Sequence, residues 1–132
     1  MWVGNSENVK IMEERAATGN AIMDKSFDFA LKIIALGEEL LAQRKYVVEH
    51  QLTKSGTSIG ANVREAQNAE SKSDFIHKMK IAAKEADETK YWLELCKYSE
   101  NYPSCDNLLN ELEQIRFILN SIIGTSKRNS LE

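Results

Sequence analysis

The chain has 132 residues, 42% of them hydrophobic and 28% charged. That is ordinary globular composition for one domain with its own core, and it excludes a disordered chain. Seventeen Lys and Arg against 20 Asp and Glu leave a net charge of −3, which excludes a polybasic protein. Any nucleic-acid contact must then come from a local patch or from repetition around an oligomer.

There is one proline, Pro103, and there are six glycines. So few breakers leave long segments intact, and β-branched alternation is absent, so the chain reads as all-α. The first residues lack a basic region followed by an apolar run, which argues against a signal peptide. No apolar run is long enough to span a membrane. Cytoplasmic placement is expected.

Residues 1–20 form an N-terminal extension. Residues 7–17 fit a short helix that Thr18, Gly19 and Asn20 would end. Trp2, Val3, Ile11 and Met12 either dock on the body or lie loose. The first main helix is expected over 21–45. Phe27, Ala30, Ile34, Gly37 and Leu41 make its apolar seam, and Ile33, Leu36 and Leu40 widen it.

The second helix is expected over 47–69, with Val48, Leu52, Ser55, Ile59, Val63 and Ala66 as a thin seam. Its middle carries Gly56-Thr57-Ser58-Ile59-Gly60-Ala61-Asn62-Val63. Gly56 and Gly60 lie one turn apart on one side. Each glycine costs about 1 kcal/mol relative to Ala inside a helix. A helix bears that cost where a neighbouring helix or a second subunit must approach closely. Beside this seam, Asn62 and Glu65 are either register-setting polar residues or solvent-facing ones. Lys90 or a tyrosine hydroxyl on the third helix would be the partner of Glu65.

The third helix starts with Ser71 as N-cap and Asp74 in the capping-box position, and runs to about residue 100. Phe75, Met79, Ala82, Ala86, Leu93 and Cys96 form its seam, extended by Ile76, Ala83, Trp92 and Leu95. Asn101, Tyr102, Pro103 and Ser104 break it, because a residue before proline avoids the α region. The fourth helix is expected over 105–123. Leu108, Leu112, Ile115, Leu119 and Ile122 are spaced like a heptad seam, with Leu109, Ile118 and Ile123 beside them. Gly124 fits its C-cap, leaving 125–132 as a flexible tail. Four amphipathic helices of similar length with short connections make an antiparallel up-and-down bundle over 21–124.

An enzymatic reading finds little footing. A bundle di-iron site needs two Glu-x-x-His pairs facing inward. His50 has Val47 three residues before it, and His77 has Asp74, which the cap already explains. Cys96 falls on the core seam, where a thiol is inert. Cys105 opens a helix, a place that lowers a thiol pKa in principle, but any small residue would serve there. A bridge between Cys96 and Cys105 fits the helix ends and is opposed by a reducing cytoplasm. Gly56 and Gly60 lack the Gly-Lys-Ser/Thr continuation of a phosphate-binding loop. No catalytic residue, metal ligand, cofactor or small-molecule substrate is assigned.

Two surface groups remain. Tyr91, Trp92 and Tyr98 cluster late in the third helix with Tyr102, and read as an interface ahead of a base-stacking platform. Lys72, His77, Lys78, Lys80 and Lys84 concentrate in its first half. With Arg64 they form the best candidate for an RNA-contacting patch, against the alternative of a solvated face paired to Glu85, Asp87 and Glu88.

Four segments in order resemble one family: Lys25-Ser26-Phe27 with Phe29-Ala30-Leu31, Ser55 to Val63 followed by Glu65-Ala66, Ser71-Lys72 with Asp74-Phe75-Ile76, and Glu85-Ala86 with Glu88-Thr89 and Tyr91-Trp92-Leu93. The chain is similar over about residues 21–123 to the four-helix-bundle proteins of the 23S rRNA intervening-sequence family, also labelled S23 ribosomal protein. The resemblance implies a small bacterial protein of unknown function that assembles as a homopentamer. It also implies kinship with the accessory variability protein of diversity-generating retroelements, a basic pentamer that binds nucleic acid and a reverse transcriptase. This chain differs from that relative in its negative net charge. The expected function is therefore a non-enzymatic oligomeric bundle associated with ribosomal or another RNA. The alternative is a protein–protein interaction adaptor without nucleic-acid binding.

Overall fold

A computed structural model describes residues 17–131. The expected helix over 7–17 and the placing of Trp2, Val3, Ile11 and Met12 lie outside the described residues, apart from Ala17, which is not helical. Four helices follow: α1 (Ala21–Ala42), α2 (Tyr46–Ala66), α3 (Lys72–Tyr98) and α4 (Asp106–Leu131). Each packs against its neighbours in the order α1, α2, α3, α4 and back to α1. Contacts fix the directions. Gly37 faces Thr53 and Gly60 faces Ser26, so α1 and α2 run antiparallel. Ser55 meets Thr89 and Glu65 meets Lys78, so α2 and α3 do too. Lys97 pairs with Asp106 and Asp87 with Arg116, which reverses α4 against α3.

The helix starts follow local chemistry. The Asn20 side chain accepts from the Met23 N–H at 3.3 Å, capping α1. Ser71 Oγ accepts from the Asp74 N–H at 3.0 Å, as a cap should. The reciprocal half of the expected box is not made. The Asp74 carboxylate instead accepts from the Glu70 N–H at 3.4 Å. Arg44, at φ 61°, and Asn101, at φ 63°, turn the chain out of α1 and α3 in the left-handed region. That is why α1 ends three residues before the expected 45.

The core holds most of the expected seams. Leu52, Ile59, Val63, Met79, Leu93, Leu112, Ile115 and Leu119 are buried together. Two differences matter. On α1 the buried line is Ile22, Ser26, Phe29, Ile33, Leu36, Gly37 and Leu40. The expected seam residues Ile34 and Leu41 instead stand 44% and 50% exposed. The helix carries two apolar stripes, and only one faces inward. On α4 the expected stop at Gly124 does not occur. The helix runs through it to Leu131, so residues 125–131 are helical.

Glycine supplies the close approach between α1 and α2. A Cβ on Gly56 would stand 2.8 Å from Ile33 Cγ2, and one on Gly60 would stand 3.3 Å from the Ser26 carbonyl oxygen. Gly37 does the same from the α1 side, where a Cβ would meet Thr53 Oγ1 at 2.6 Å. Three glycines on two helices thus let the backbones approach more closely than side chains would allow.

Candidate functional site

The α3–α4 seam carries a ladder of charge. Lys97 pairs with Asp106 at 3.6 Å, Lys90 with Glu113 at 3.4 Å, and Asp87 with Arg116 at 2.8 Å. The α3 members are spaced by seven and three residues, which keeps them on one helical stripe. Arg116 also donates to Glu113 at 2.7 Å, and that hydrogen bond holds the Glu113 carboxyl below the usual range. Seven residues further toward the start of α3 comes Lys80. Near it on α4, one turn beyond the position that the three ion pairs put in register, stands Lys127, another cation. The hydrogen-bond-range contact with Lys127, and then its charge, hold the Lys80 ammonium below the ordinary lysine value.

Around Lys80 the surface is basic. His77 and Lys84 lie one turn to either side of Lys80, and all three are exposed. A shallow depression of about 450 Å³ is lined by Ser73, Ile76, His77 and Lys80. Among the described residues no carboxylate comes within 4.0 Å of Lys80, Lys84 or Lys127. Glu85, the acidic neighbour of Lys84, has its carboxyl pushed up by burial first and by Glu88 next.

The expected patch is thus only partly gathered. His77, Lys80 and Lys84 share one face. Lys78 turns toward α2 and pairs with Glu65 at 3.4 Å. Arg64 sits over the Phe27 ring at 5.6 Å, on the α1–α2 side. Lys72 is the exposed first residue of α3. Lys127 lies outside the expected patch because Gly124 reads as a helix end in the sequence, and the absence of proline beyond that glycine is the only signal that the helix continues.

Glu65 finds neither Lys90 nor a tyrosine, since Lys90 is committed to Glu113. The Glu65 side chain is 58% exposed, as a solvent-facing residue would be. Asn62 Nδ2 donates to its own helix, to the Ser58 carbonyl at 2.8 Å. The polar pair inside the α2–α3 seam is a different one, Ser55 with Thr89. Tyr91 and Tyr98 are exposed, and Lys97 lies over the Tyr98 ring at 5.6 Å. Half-buried Trp92 packs edge-on to Tyr91 with ring centroids 5.2 Å apart, and its N–H donates to Glu88 at 3.4 Å.

A second feature lies on the opposite side. The outward stripe of α1 and the small residues of α2 form an apolar groove of about 360 Å³, lined by Phe27, Leu31, Ile34, Gly60, Ala61 and Arg64 among others. The two thiols are buried. Burial and then Cys105 push the Cys96 pKa up to about 11. Burial and then Asp106 raise that of Cys105, opposite to the lowering that a helix N-terminus offers in principle. Among the described residues no helix is long and apolar enough to cross a membrane, and no group of three or more His, Cys, Asp or Glu is placed to hold a metal ion.

Residues 19–121 match the model of the 23S rRNA-intervening sequence protein family. Among solved structures, the chain is similar to a protein of unknown function from the S23 ribosomal protein family of Bacteroides thetaiotaomicron VPI-5482. The two share 45% identity over 77% of this chain and 97% of that one, with a TM-score of 0.74. No curated protein matches the chain.

Proposed function

The chain belongs to the 23S rRNA-intervening sequence protein family, and on that footing we propose that it is a non-enzymatic, homo-oligomeric helical bundle that contacts RNA. The observation that carries the RNA part is the basic face of His77, Lys80 and Lys84, which Lys127 joins from α4. Exposed lysines can neutralise phosphates, and neutralising them releases counterions. The protein acts in the bacterial cytoplasm without cofactor or small-molecule substrate.

Assembly is the second half of the reading. Leu31, Ile34 and Leu41 form an exposed apolar line on α1, of the kind that marks an interface. We read the assembly as a homopentamer, as the family resemblance implies. A ring repeats the basic face around one axis, and that repetition offsets the negative net charge of each chain if one RNA reaches several copies.

The test is RNA binding as a function of salt. Wild type binds single-stranded RNA at about 50 mM salt and loses it steeply as salt rises. The double variant Lys80→Glu, Lys84→Glu loses binding with helical content and mass unchanged. The adaptor reading, favoured by exposed Tyr98 and Phe117, replaces this one if wild type fails to bind RNA at that salt.

A further inference from the structure

We propose that residues 1–16 of the same molecule lie in the apolar groove between α1 and α2. Phe27, Leu31 and Ile34 line one wall of that groove, and Gly60, Ala61 and Arg64 line the other. The family match begins at residue 19, so the segment lies outside what the family model covers. The inference goes beyond the proposed RNA contact and does not depend on it.

The way the chain enters the bundle points the segment there. Gly19, at φ 81°, reverses the backbone just ahead of α1. The Thr18 N–H donates to the two Asp24 carboxylate oxygens at 3.2 and 3.1 Å, and the Thr18 hydroxyl donates to the same carboxylate at 3.0 Å. Residue 18 is thereby held against the first turn of α1. Asn20 Nδ2 donates across to the Gln67 side chain at 3.3 Å, which ties the entry to the α2 side. Gln67 follows Arg64 by about one turn, at one end of the groove. The chain that precedes Thr18 therefore leaves from the mouth of the groove.

Reach and chemistry agree with this seating. Met12 and Ile11 precede Thr18 by six and seven residues, a stretch that extended chain spans in up to about 25 Å. The groove runs from Met23 to Ile34 along α1, about 16 Å of helix. Trp2, Val3, Val9, Ile11 and Met12 supply apolar side chains for it. Arg64 stands at the rim over the Phe27 ring, with no carboxylate of the described residues within 4.0 Å, and Glu13 and Glu14 would bring two. Covalent attachment makes the contact intramolecular, so individually weak apolar contacts suffice to hold it. Leu31 and Ile34 also belong to the stripe through which copies are proposed to assemble, so the seated segment becomes part of that interface.

Trypsin cleavage of the full chain after Lys10 under native conditions tests the seating, scored by the mass of the released fragment. Ile34→Glu with Ala61→Glu puts two carboxylates on exposed positions of the groove and should speed the cut about tenfold or more, with helical content kept. Equal rates in wild type and this variant overturn the proposal. Arg64→Glu should speed the cut too, and adding Glu13→Arg and Glu14→Arg to it should restore the slow rate, which a purely structural role of Arg64 would not allow. Failure of either change overturns the seating. Protection by the same molecule holds at every protein concentration. Protection that disappears as wild type is diluted to single chains gives the groove to a neighbouring copy and overturns the proposal as well. The mass in solution keeps this apart from the assembly reading. A single-chain mass with Lys10 protected removes the ring and leaves the seating, and a ring with Lys10 cut freely does the reverse.

Discussion

The hydroxyls of Ser55 and Thr89 share a hydrogen bond of 3.0 Å at a point where both residues are fully buried between α2 and α3. Thr89 Oγ1 also donates to the Glu85 carbonyl at 2.7 Å, and Ser55 Oγ lies 3.4 Å from the Leu52 carbonyl. Thr89→Val keeps the shape and strands the Ser55 hydroxyl in the core with only its long 3.4 Å contact to the Leu52 carbonyl. It should cost about 1–2 kcal/mol in urea unfolding. Adding Ser55→Ala removes the stranded group, so the double variant should be more stable than the sum of the two changes indicates. Strict additivity would show that the pair carries no coupling.

Two glycine-to-alanine changes should have opposite signs. At Gly56 the new Cβ runs into Ile33, a β-branched side chain locked inside the core. Overpacking of this kind costs about 1–3 kcal/mol, more than the helix propensity gained, so Gly56→Ala should lower Tm. At Gly124 the new Cβ meets only Arg128 Nη1 at 3.5 Å, an ordinary contact. Gly124→Ala should therefore stabilise by up to about 1 kcal/mol. Gly60→Leu should cost a few kcal/mol, because its neighbour is the Ser26 backbone, which cannot rotate away. A raised Tm for Gly60→Leu would refute the close packing.

The Cys96 thiol gives a pH signature. Its folded pKa is about 11, above that of an unfolded thiol near 8.5. The folded state therefore holds the proton more tightly. The stability this group contributes is complete below about pH 8.5 and is lost as pH rises toward 11. Wild type should lose more stability between pH 8 and pH 11 than Cys96→Ala does. Equal losses would mean that the thiol is not shielded. Below pH 8 both thiols should resist alkylation until the chain unfolds.

The outward stripe of α1 predicts the behaviour in solution. Light scattering should give five times the 15.0 kDa chain mass, and the pair Leu31→Glu, Ile34→Glu should reduce it to monomer with the helical content kept. A wild-type mass near that of one chain at micromolar concentration would sink the pentamer.

The fold was legible because four long amphipathic segments, an N-cap at Ser71 and a break at Pro103 all agree. What failed did so for particular reasons. Periodicity saw apolar residues around much of α1 and could not say which stripe faces inward, so Ile34 and Leu41 were assigned to the core in place of Ile22, Ser26 and Phe29. Thr89 was overlooked because a lone threonine in a seam looks like an interruption, and its partner Ser55 is 34 residues away in sequence. Gly124 shows the limit of local rules. The same residue type ends helices by adopting positive φ and is also carried inside them at a cost of about 1 kcal/mol, as here, where a Cβ would meet only Arg128 of the same helix. Charge proximity in sequence groups Lys78 with Lys80 and Lys84, whereas the fold turns Lys78 to Glu65 and brings Lys127 near Lys80.

The run of α4 past Gly124 places Lys127 on the far side of the weakest link in its helix. Glycine is the poorest helix former after proline, so opening of the turns beyond it is easier than opening of the turns before it. Amide hydrogen exchange should therefore be faster at residues 125–129 than around buried Leu112 and Leu119.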